Sequence, residues 1–364
     1  MARQTNIIKG YIPQLDGIRG LAIILVISFH YFRNIPLFSF GWSGVDLFFV
    51  LSGYLITSRL IALQEQNNSL KKFYINRALR ILPLYYCTLI LFYTGFTLLV
   101  KKTNLHLFDF YYKNWASFAL FFQNWSLIYS NAPKETVLNH FWSLAVEEQF
   151  YIIWPFFLLN FWQKKFFFKL VFGIILLIII TRTFLYIQYP GIPDYKYFFC
   201  NTFCRMDAFF IGGCLFLFQK NHTTKAFKLY YYTALLLIVS GIYFTGNANA
   251  NNPFVSTIGF TLIAIVFAGI IYAASTRSSK ALSIIFNYRW LIFTGKISYG
   301  LYVFHWIVLT VLEPRIEKWL TTSAHVNSHT ANGISLFTCL VITYGISVIS
   351  YFYFELYFLQ RKMR

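Results

Sequence analysis

Acidic side chains are scarce in this sequence: 12 Asp and Glu stand against 31 Lys and Arg in 364 residues. Charged residues of either sign make up 12% of the chain, about half the roughly 25% of a soluble domain. In their place stand 58% hydrophobic and 22% aromatic residues, more apolar surface than a water-soluble core of this size can bury. Cysteine is sparse as well. The five cysteines, at 87, 200, 204, 214 and 339, are odd in number and all lie in apolar runs, so the sequence implies neither a disulfide framework nor a metal site. The N-terminal stretch MARQTNIIKGYIPQLDGIRG is polar and contains Asp16, unlike a cleaved signal peptide, so the first apolar segment is expected to be retained. No internal repeat, linker or extra soluble domain is visible. The net charge of +19 lies in short clusters between apolar runs, not along one polar face, which excludes a nucleic-acid binder.

What is present is a succession of apolar runs, and a hydrocarbon core about 30 Å thick takes about 20 such residues per helix. The runs predict helices near 18–33, 43–63, 80–100, 141–160, 168–188, 200–218, 229–245, 254–274, 297–312 and 334–356. The expected fold is therefore all-α, a polytopic membrane bundle of about ten transmembrane helices forming one domain over 1–364. With both termini cytoplasmic, 21 of the 31 basic residues fall on the inner side and 8 on the outer, the bias expected of inner loops. An eleventh span at 105–130 would invert that bias for every later loop, so this aromatic segment is expected to be interfacial or re-entrant on the outer face.

An ionisable residue inside a membrane helix costs several kcal/mol unless paired or wetted, which makes each one a candidate for function. Arg19 and His30 are eleven residues apart on the first helix, close to three turns and about 16 Å along the axis, so they share one face. A cation at the inner mouth and an imidazole at depth suit an elongated anionic ligand whose reactive end enters the membrane. Asp46, near the outer start of the second helix, either orients that imidazole or complements the helix dipole. Ser52 and Gly53 lie at mid-depth on the same helix, where small residues also serve helix packing. Arg77 and Arg80, three residues apart, can grip one phosphate or a lipid headgroup. Glu147 and Glu148 follow His140, Trp142 and Ser143; adjacent residues on a helix point about 100° apart, so at most one acid faces a given cavity. Arg205 and Asp207 diverge on their helix and are expected to find partners elsewhere. His305 lies among aromatics toward the outer half of its helix, where a structural role is the simpler expectation.

Taken in order, Arg19 with His30, GVDLFFVLSGYLIT, FYINRALRILPLYY, FWSLAVEEQFYIIWP, RMDAFFIGG and ISYGLYVFHW make the chain similar to the acyltransferase-3 family of bacterial integral membrane O-acyltransferases. The resemblance covers residues 13 to 356 or so. It implies transfer of an acyl group, usually acetyl, from cytoplasmic acyl-coenzyme A to a hydroxyl of a cell-surface glycan at the bacterial inner membrane. In that resemblance Arg19 and His30 match an Arg-ten-His signature, Arg77 and Arg80 an Arg-x-x-Arg pair, and Ser52 and Gly53 a Ser-Gly-x-Leu element; His30 is the expected catalytic group, with Asp46 or Glu147 to orient it, and Arg19, Arg77, Arg80, Ser52 and Gly53 are the expected donor contacts. Trp142, Ser143, Glu148, Arg205, Asp207 and His305 are the expected substrate contacts. His30 either deprotonates the sugar hydroxyl or carries the acyl group itself, and Ser52 or a helix N-terminus is a candidate for stabilising the oxyanion. No metal or permanently bound cofactor is implied; acyl-coenzyme A is a co-substrate. The partners are the glycan, membrane lipids and, in a homo-oligomer, further copies of the chain. Some members carry a soluble hydrolase-like domain after the last helix; with the sequence ending at Arg364, a second transfer step is expected to use another protein. A lipopolysaccharide O-antigen sugar is the first acceptor suggested, with peptidoglycan, exopolysaccharide and lipid-linked sugars open. The competing expectation is a secondary transporter or flippase for a glycolipid or small anion, which predicts symmetry between the halves of the chain.

Overall fold

A computed structural model describes residues 11–32, 35–65, 70–99, 105–130, 132–133, 136–189, 196–221 and 224–361. Of the basic residues behind the inside–outside bias, Arg3, Lys9, Arg33, Lys101, Lys102, Lys134, Lys362 and Arg364 lie outside the described residues. The helices are α1 Pro13–Tyr31, α2 Gly44–Glu65, α3 Leu70–Leu99, α4 Leu105–Ala119, α5 Gln123–Tyr129, α6 Trp142–Phe161, α7 Phe167–Gln188 and α8 Lys196–Phe199. They continue with α9 Thr202–Asn221, α10 Thr224–Thr245, α11 Phe260–Ser275, α12 Lys280–Phe286, α13 Arg289–Lys296, α14 Ser298–Thr322, α15 Ser328–Ser350 and α16 Leu356–Leu359. There is no strand among the described residues.

Six helical stretches are long and apolar enough to cross a bilayer, and seven if α13 and α14, bent by 72° at Ile297, count as one broken span. The chain is a multi-pass membrane protein. The first helix is not among the six, because Gln14, Asp16, Arg19 and His30 dilute its apolar run. The spans divide into inner and outer members. About two-thirds or more of the α2, α9 and α11 windows is buried (67%, 78% and 67%), against 17% for α7. The α7 surface displays Phe172, Leu177, Ile180 and Phe184, an apolar face that only lipid or another apolar partner can cover.

The inner helices pack backbone to backbone. A Cβ added to Gly53 of α2 would lie 2.0 Å from the Phe209 carbonyl oxygen of α9, and one on Gly212 would lie 1.9 Å from that of Val50. Small residues of this kind let membrane helices close to van der Waals contact. The same device docks α13 on α1, where Gly20 faces the Leu291 carbonyl and Gly295 that of Asp16.

Three boundaries differ from expectation. α3 begins at Leu70, not near residue 80, so Lys71, Lys72, Arg77 and Arg80 ride on a helix where a loop was expected. An apolar window does not register these turns, because the lysines are polar and Arg77 and Arg80 face a cavity instead of lipid. The predicted outer loop 313–333 is mostly helix, since α14 runs on through Pro314 to Thr322 and α15 starts at Ser328. The segment 105–130 is two helices broken at Phe121, whose φ of 59° interrupts the hydrogen-bond ladder. The longer piece, 15 residues, extends about 22 Å, short of a bilayer core.

Candidate active site

Helix α1 carries the site. Its residues Gly17 and Gly20 sit against the backbone of Phe286 and Leu291, which fixes the rotation of the helix about its axis. Arg19 and His30 then face a series of three cavities. The first, about 280 Å³, lies at the N-terminal end of α1 between Asp16, Arg19, Arg80, Lys296, Tyr299 and Glu355. The second is a constriction of about 80 Å³ walled by Arg19, Arg77, Arg80, Ser52, Glu147 and Tyr151. The third, about 410 Å³, surrounds His30. Arg19, Arg80 and Tyr299 are walls of both the first and the second, and Val45 and Tyr302 of both the second and the third.

The proton on His30 can be assigned from its neighbours. Nδ1 of His305 lies 2.7 Å from the carbonyl oxygen of Tyr302 and 3.2 Å from that of Leu301, both acceptors, so this nitrogen carries the hydrogen. Nε2 of the neutral His305 ring is then an acceptor, and it sits 3.3 Å from Nδ1 of His30. His30 Nδ1 is also 3.0 Å from the Val26 carbonyl oxygen. With acceptors on both sides, Nδ1 of His30 is the N–H and Nε2 holds the lone pair, the tautomer required of a base or nucleophile. Trp306 packs on the same ring at 4.7 Å between centroids. A third histidine, His140, lies 5.1 Å from His305, centroid to centroid, and its Nε2 donates to the Val303 carbonyl oxygen.

In the constriction Glu147 accepts hydrogen bonds from Ser52, at 2.5 Å, and from Tyr151, four residues on along α6. Arg77 stacks over the Tyr151 ring, 4.4 Å from its centroid. Arg19 is already paired, donating to Asp16 at 2.6 Å. Three guanidinium groups thus line one narrow space with a single carboxylate among its walls, an excess of positive charge suited to a polyanion.

The Acyltransferase domain family matches residues 12–352. The chain belongs to that family. Among its relatives, the peptidoglycan O-acetyltransferase OatA of Listeria monocytogenes is 33% identical over 342 residues, 87% of this chain and 52% of the relative. A putative peptidoglycan O-acetyltransferase, YrhL, of Bacillus subtilis is 31% identical over 328 residues, 84% of this chain and 49% of the relative. A putative O-acetyltransferase of Staphylococcus aureus is 32% identical over 325 residues, 82% of this chain and 51% of the relative. The chain spans about half the length of these curated relatives. No solved structure matches it.

The fold gathers some of the expected site residues and disperses others. His30, Trp142 and Tyr302 line the third cavity, while Arg19, Arg77, Arg80, Ser52, Ser143 and Glu147 line the constriction. His305 lies behind His30 and orients it. Asp46 does not orient the imidazole: its Oδ1 accepts from Arg205 at 2.6 Å and its Oδ2 has no partner among the described residues. Arg205 and Asp207 line none of the three cavities. Asp207 pairs with Arg182 at 3.0 Å and accepts from Thr261, and Arg205 also stacks on Phe260 at 4.1 Å. The substrate contacts expected of this pair are replaced by two buried ion pairs that tie α9 to α2 and α7. Gly53 is a packing residue against Phe209, not part of a donor pocket. Ser52 directs its proton to Glu147, which leaves it without a hydrogen to offer an oxyanion. Glu148 points away from the constriction, as adjacent residues on a helix must, and its Oε1 has no partner among the described residues. Trp42 also reaches the third cavity, whereas Trp115 is exposed on α4 and Trp125 stacks on Tyr129.

Removing one member of a buried ion pair strands the other charge, at a cost of about 3–5 kcal/mol, while an apolar replacement of both is close to neutral. Asp46→Ala is therefore expected to lower the thermal transition of the purified protein by several degrees. Asp46→Leu combined with Arg205→Met should recover most of the loss.

Proposed function

We propose that this protein is an O-acetyltransferase that takes an acetyl group from acetyl-coenzyme A at the cytoplasmic end of α1 and delivers it to a hydroxyl of a cell-envelope glycan on the far side of the membrane. The observation that carries the reading is the sequence of cavities with shared walls, leading from the cations at one end of α1 to the lone pair of His30 near the other. In this reading the chain is one domain crossing the bacterial plasma membrane ten times with both termini inside, and the segment 105–130 lies at the outer face. The names of the relatives support peptidoglycan as the acceptor in place of the lipopolysaccharide first suggested by resemblance.

Coenzyme A carries a pyrophosphate and a ribose phosphate, and Arg19, Arg77, Arg80 and Lys296 offer them four cations. The narrow pantetheine arm would pass the constriction, which admits a chain and not a nucleotide, and bring the thioester toward Tyr302. In direct transfer, Nε2 of His30 accepts the proton of the sugar hydroxyl as its oxygen attacks the thioester carbonyl. The C–S bond then breaks, and the thiolate of coenzyme A recovers the proton from His30. In the alternative, Nε2 attacks the thioester carbonyl and the thiolate of coenzyme A leaves; the sugar hydroxyl then attacks the acetyl-imidazolium, the C–N bond breaks and the hydroxyl proton passes to the thiolate. Either route needs the Nδ1–H tautomer that Val26 and His305 hold in place.

His305→Phe removes one acceptor for that hydrogen but leaves the Val26 carbonyl, so transfer should fall about tenfold, the worth of one hydrogen bond at a reacting group. His305→Gln, whose side chain retains an acceptor, should recover part of it, a pattern that a purely packing role would not give. The function itself is tested by incubating purified protein in liposomes with radiolabelled acetyl-coenzyme A and an envelope glycan fraction. Labelled glycan and free coenzyme A are expected. A folded protein that neither binds coenzyme A nor moves label would favour a transporter.

A further inference from the structure

Residues 276–297 join the ends of two long helices at one face of the bundle. α11, inside one of the membrane-crossing stretches, ends at Ser275, and α14 begins at Ser298. Between them α12 has 7 residues and α13 has 8, about 10 and 12 Å at 1.5 Å per residue, too short to cross a bilayer core. α13 leaves the α14 axis at 72°, so with α14 standing across the membrane α13 runs close to its plane. A helix in that orientation, apolar and cationic by turns, belongs at the headgroup boundary.

The two sides of this elbow differ. Its inner side is fixed to α1 backbone to backbone, through Gly17 against Phe286, Gly20 against Leu291 and Gly295 against Asp16. Its outer side shows Ile284, Ile285, Tyr288 and Trp290, each at least 50% exposed. An open depression of about 430 Å³ lies between Ser283, Ile284, Asn287, Tyr288 and Arg289. Lys280 stands three residues before Ser283 and four before Ile284, on the same face of α12. The segment 276–297 holds Arg277, Lys280, Arg289 and Lys296 and no Asp or Glu. Lys296 lines the first cavity, whereas Arg277, Lys280 and Arg289 are exposed and make no ion pair among the described residues.

We infer that the α12–α13 elbow is a docking surface for an anionic phospholipid, its phosphate held by Arg289 and Lys280 with Ser283 and Asn287, while Ile284, Ile285, Tyr288 and Trp290 sit among the upper acyl carbons. Charge decides the class of lipid. A guanidinium presents a planar fork to two phosphate oxygens, and an ammonium adds a point charge. A glycerol headgroup leaves the lipid a net anion, whereas a choline headgroup carries its own cation, which the basic side chains repel. Tyrosine and tryptophan suit this depth because each ring has an apolar body and a polar end. A soluble phosphate ester offers the same anion but no acyl chain for the four apolar side chains. The backbone contacts with α1 hold the elbow in place before a lipid arrives, so little conformational freedom is lost on binding. This surface does not depend on the acetyltransferase reading.

Trp290 reports the contact. Its contribution is the difference in fluorescence quenching between the full chain and Trp290→Phe, each in phosphatidylcholine liposomes that contain brominated phosphatidylglycerol or brominated phosphatidylcholine. A cation near a membrane surface is worth about fivefold, so half-quenching should need a roughly tenfold lower fraction of the anionic lipid. Lys280→Gln/Arg289→Gln should remove most of this preference while the thermal transition stays near that of the parent. Glycerol phosphate in the buffer should leave the quenching unaltered. Equal quenching by the two lipids, a Trp290 contribution absent with both, or a preference retained in the folded double variant would overturn the surface. Displacement by glycerol phosphate would overturn it too, by assigning the anion site to a soluble ligand.

Discussion

Replacement of His30 by alanine is expected to lower acetyl transfer by a factor of about 10³ or more while the protein stays folded. A positioned general base contributes roughly 10²–10⁴ in rate, and a covalent carrier contributes at least as much. The side chain is not needed for the bundle: the ring lies at the wall of the third cavity, and its bonds to Val26 and His305 join groups that remain in place without it. Rate and thermal stability should therefore separate. A His30→Ala protein with its thermal transition within a few degrees of the parent and near-parental transfer would remove His30 from the chemistry. Single-turnover labelling without acceptor distinguishes the two routes, since only an acetyl-imidazole leaves label on the parent protein.

The double replacement Arg77→Ala/Arg80→Ala should act on the donor. A hydrogen bond to a charged group is worth about 1.5–3 kcal/mol, so losing two raises the dissociation constant of coenzyme A roughly a hundredfold or more. The maximal rate at saturating donor should change far less, because neither group reaches the third cavity. Arg77→Lys/Arg80→Lys keeps the charge but loses the planar fork, and should fall between the two. Desphospho-coenzyme A compared with coenzyme A locates the ribose phosphate among these cations. Unchanged affinity in the alanine pair would move the phosphate site away from α3.

Much of this site could be read along single helices and little of it between them. Arg19 and His30 share a face because eleven residues make nearly three turns, and the structure puts both on the same series of cavities. Glu147 and Glu148 part company for the same local reason. Asp46 is different. A carboxylate at that depth has several cations within the bundle to choose from, and its partner depends on α9 lying against α2, which no spacing within α2 encodes. Arg205 reaches it because glycines at 53 and 212 let those two helices touch. Gly53 itself was ambiguous in sequence, since a small residue opens a pocket and closes a helix contact equally well.

One feature left only a weak signal. His305 stands four residues after Leu301 and three after Tyr302, whose carbonyls set its tautomer; its partnership with His30 spans 275 positions and is invisible to any local pattern. The early start of α3 escaped for a physical reason. Hydropathy reports contact with lipid, and the first turns of that helix present arginines to an internal cavity instead.

The central claim is that the two substrates meet from opposite sides of one bilayer, and sidedness is the measurement that tests it most directly. Proteoliposomes of uniform orientation would receive labelled acetyl-coenzyme A on the face exposing the N-terminal end of α1 and an envelope glycan oligomer on the other. Labelled glycan is expected in the opposite compartment and free coenzyme A in the first, both lost in His30→Ala. Label appearing only in glycan supplied on the same side as the donor, with the protein folded and oriented, would contradict the claim.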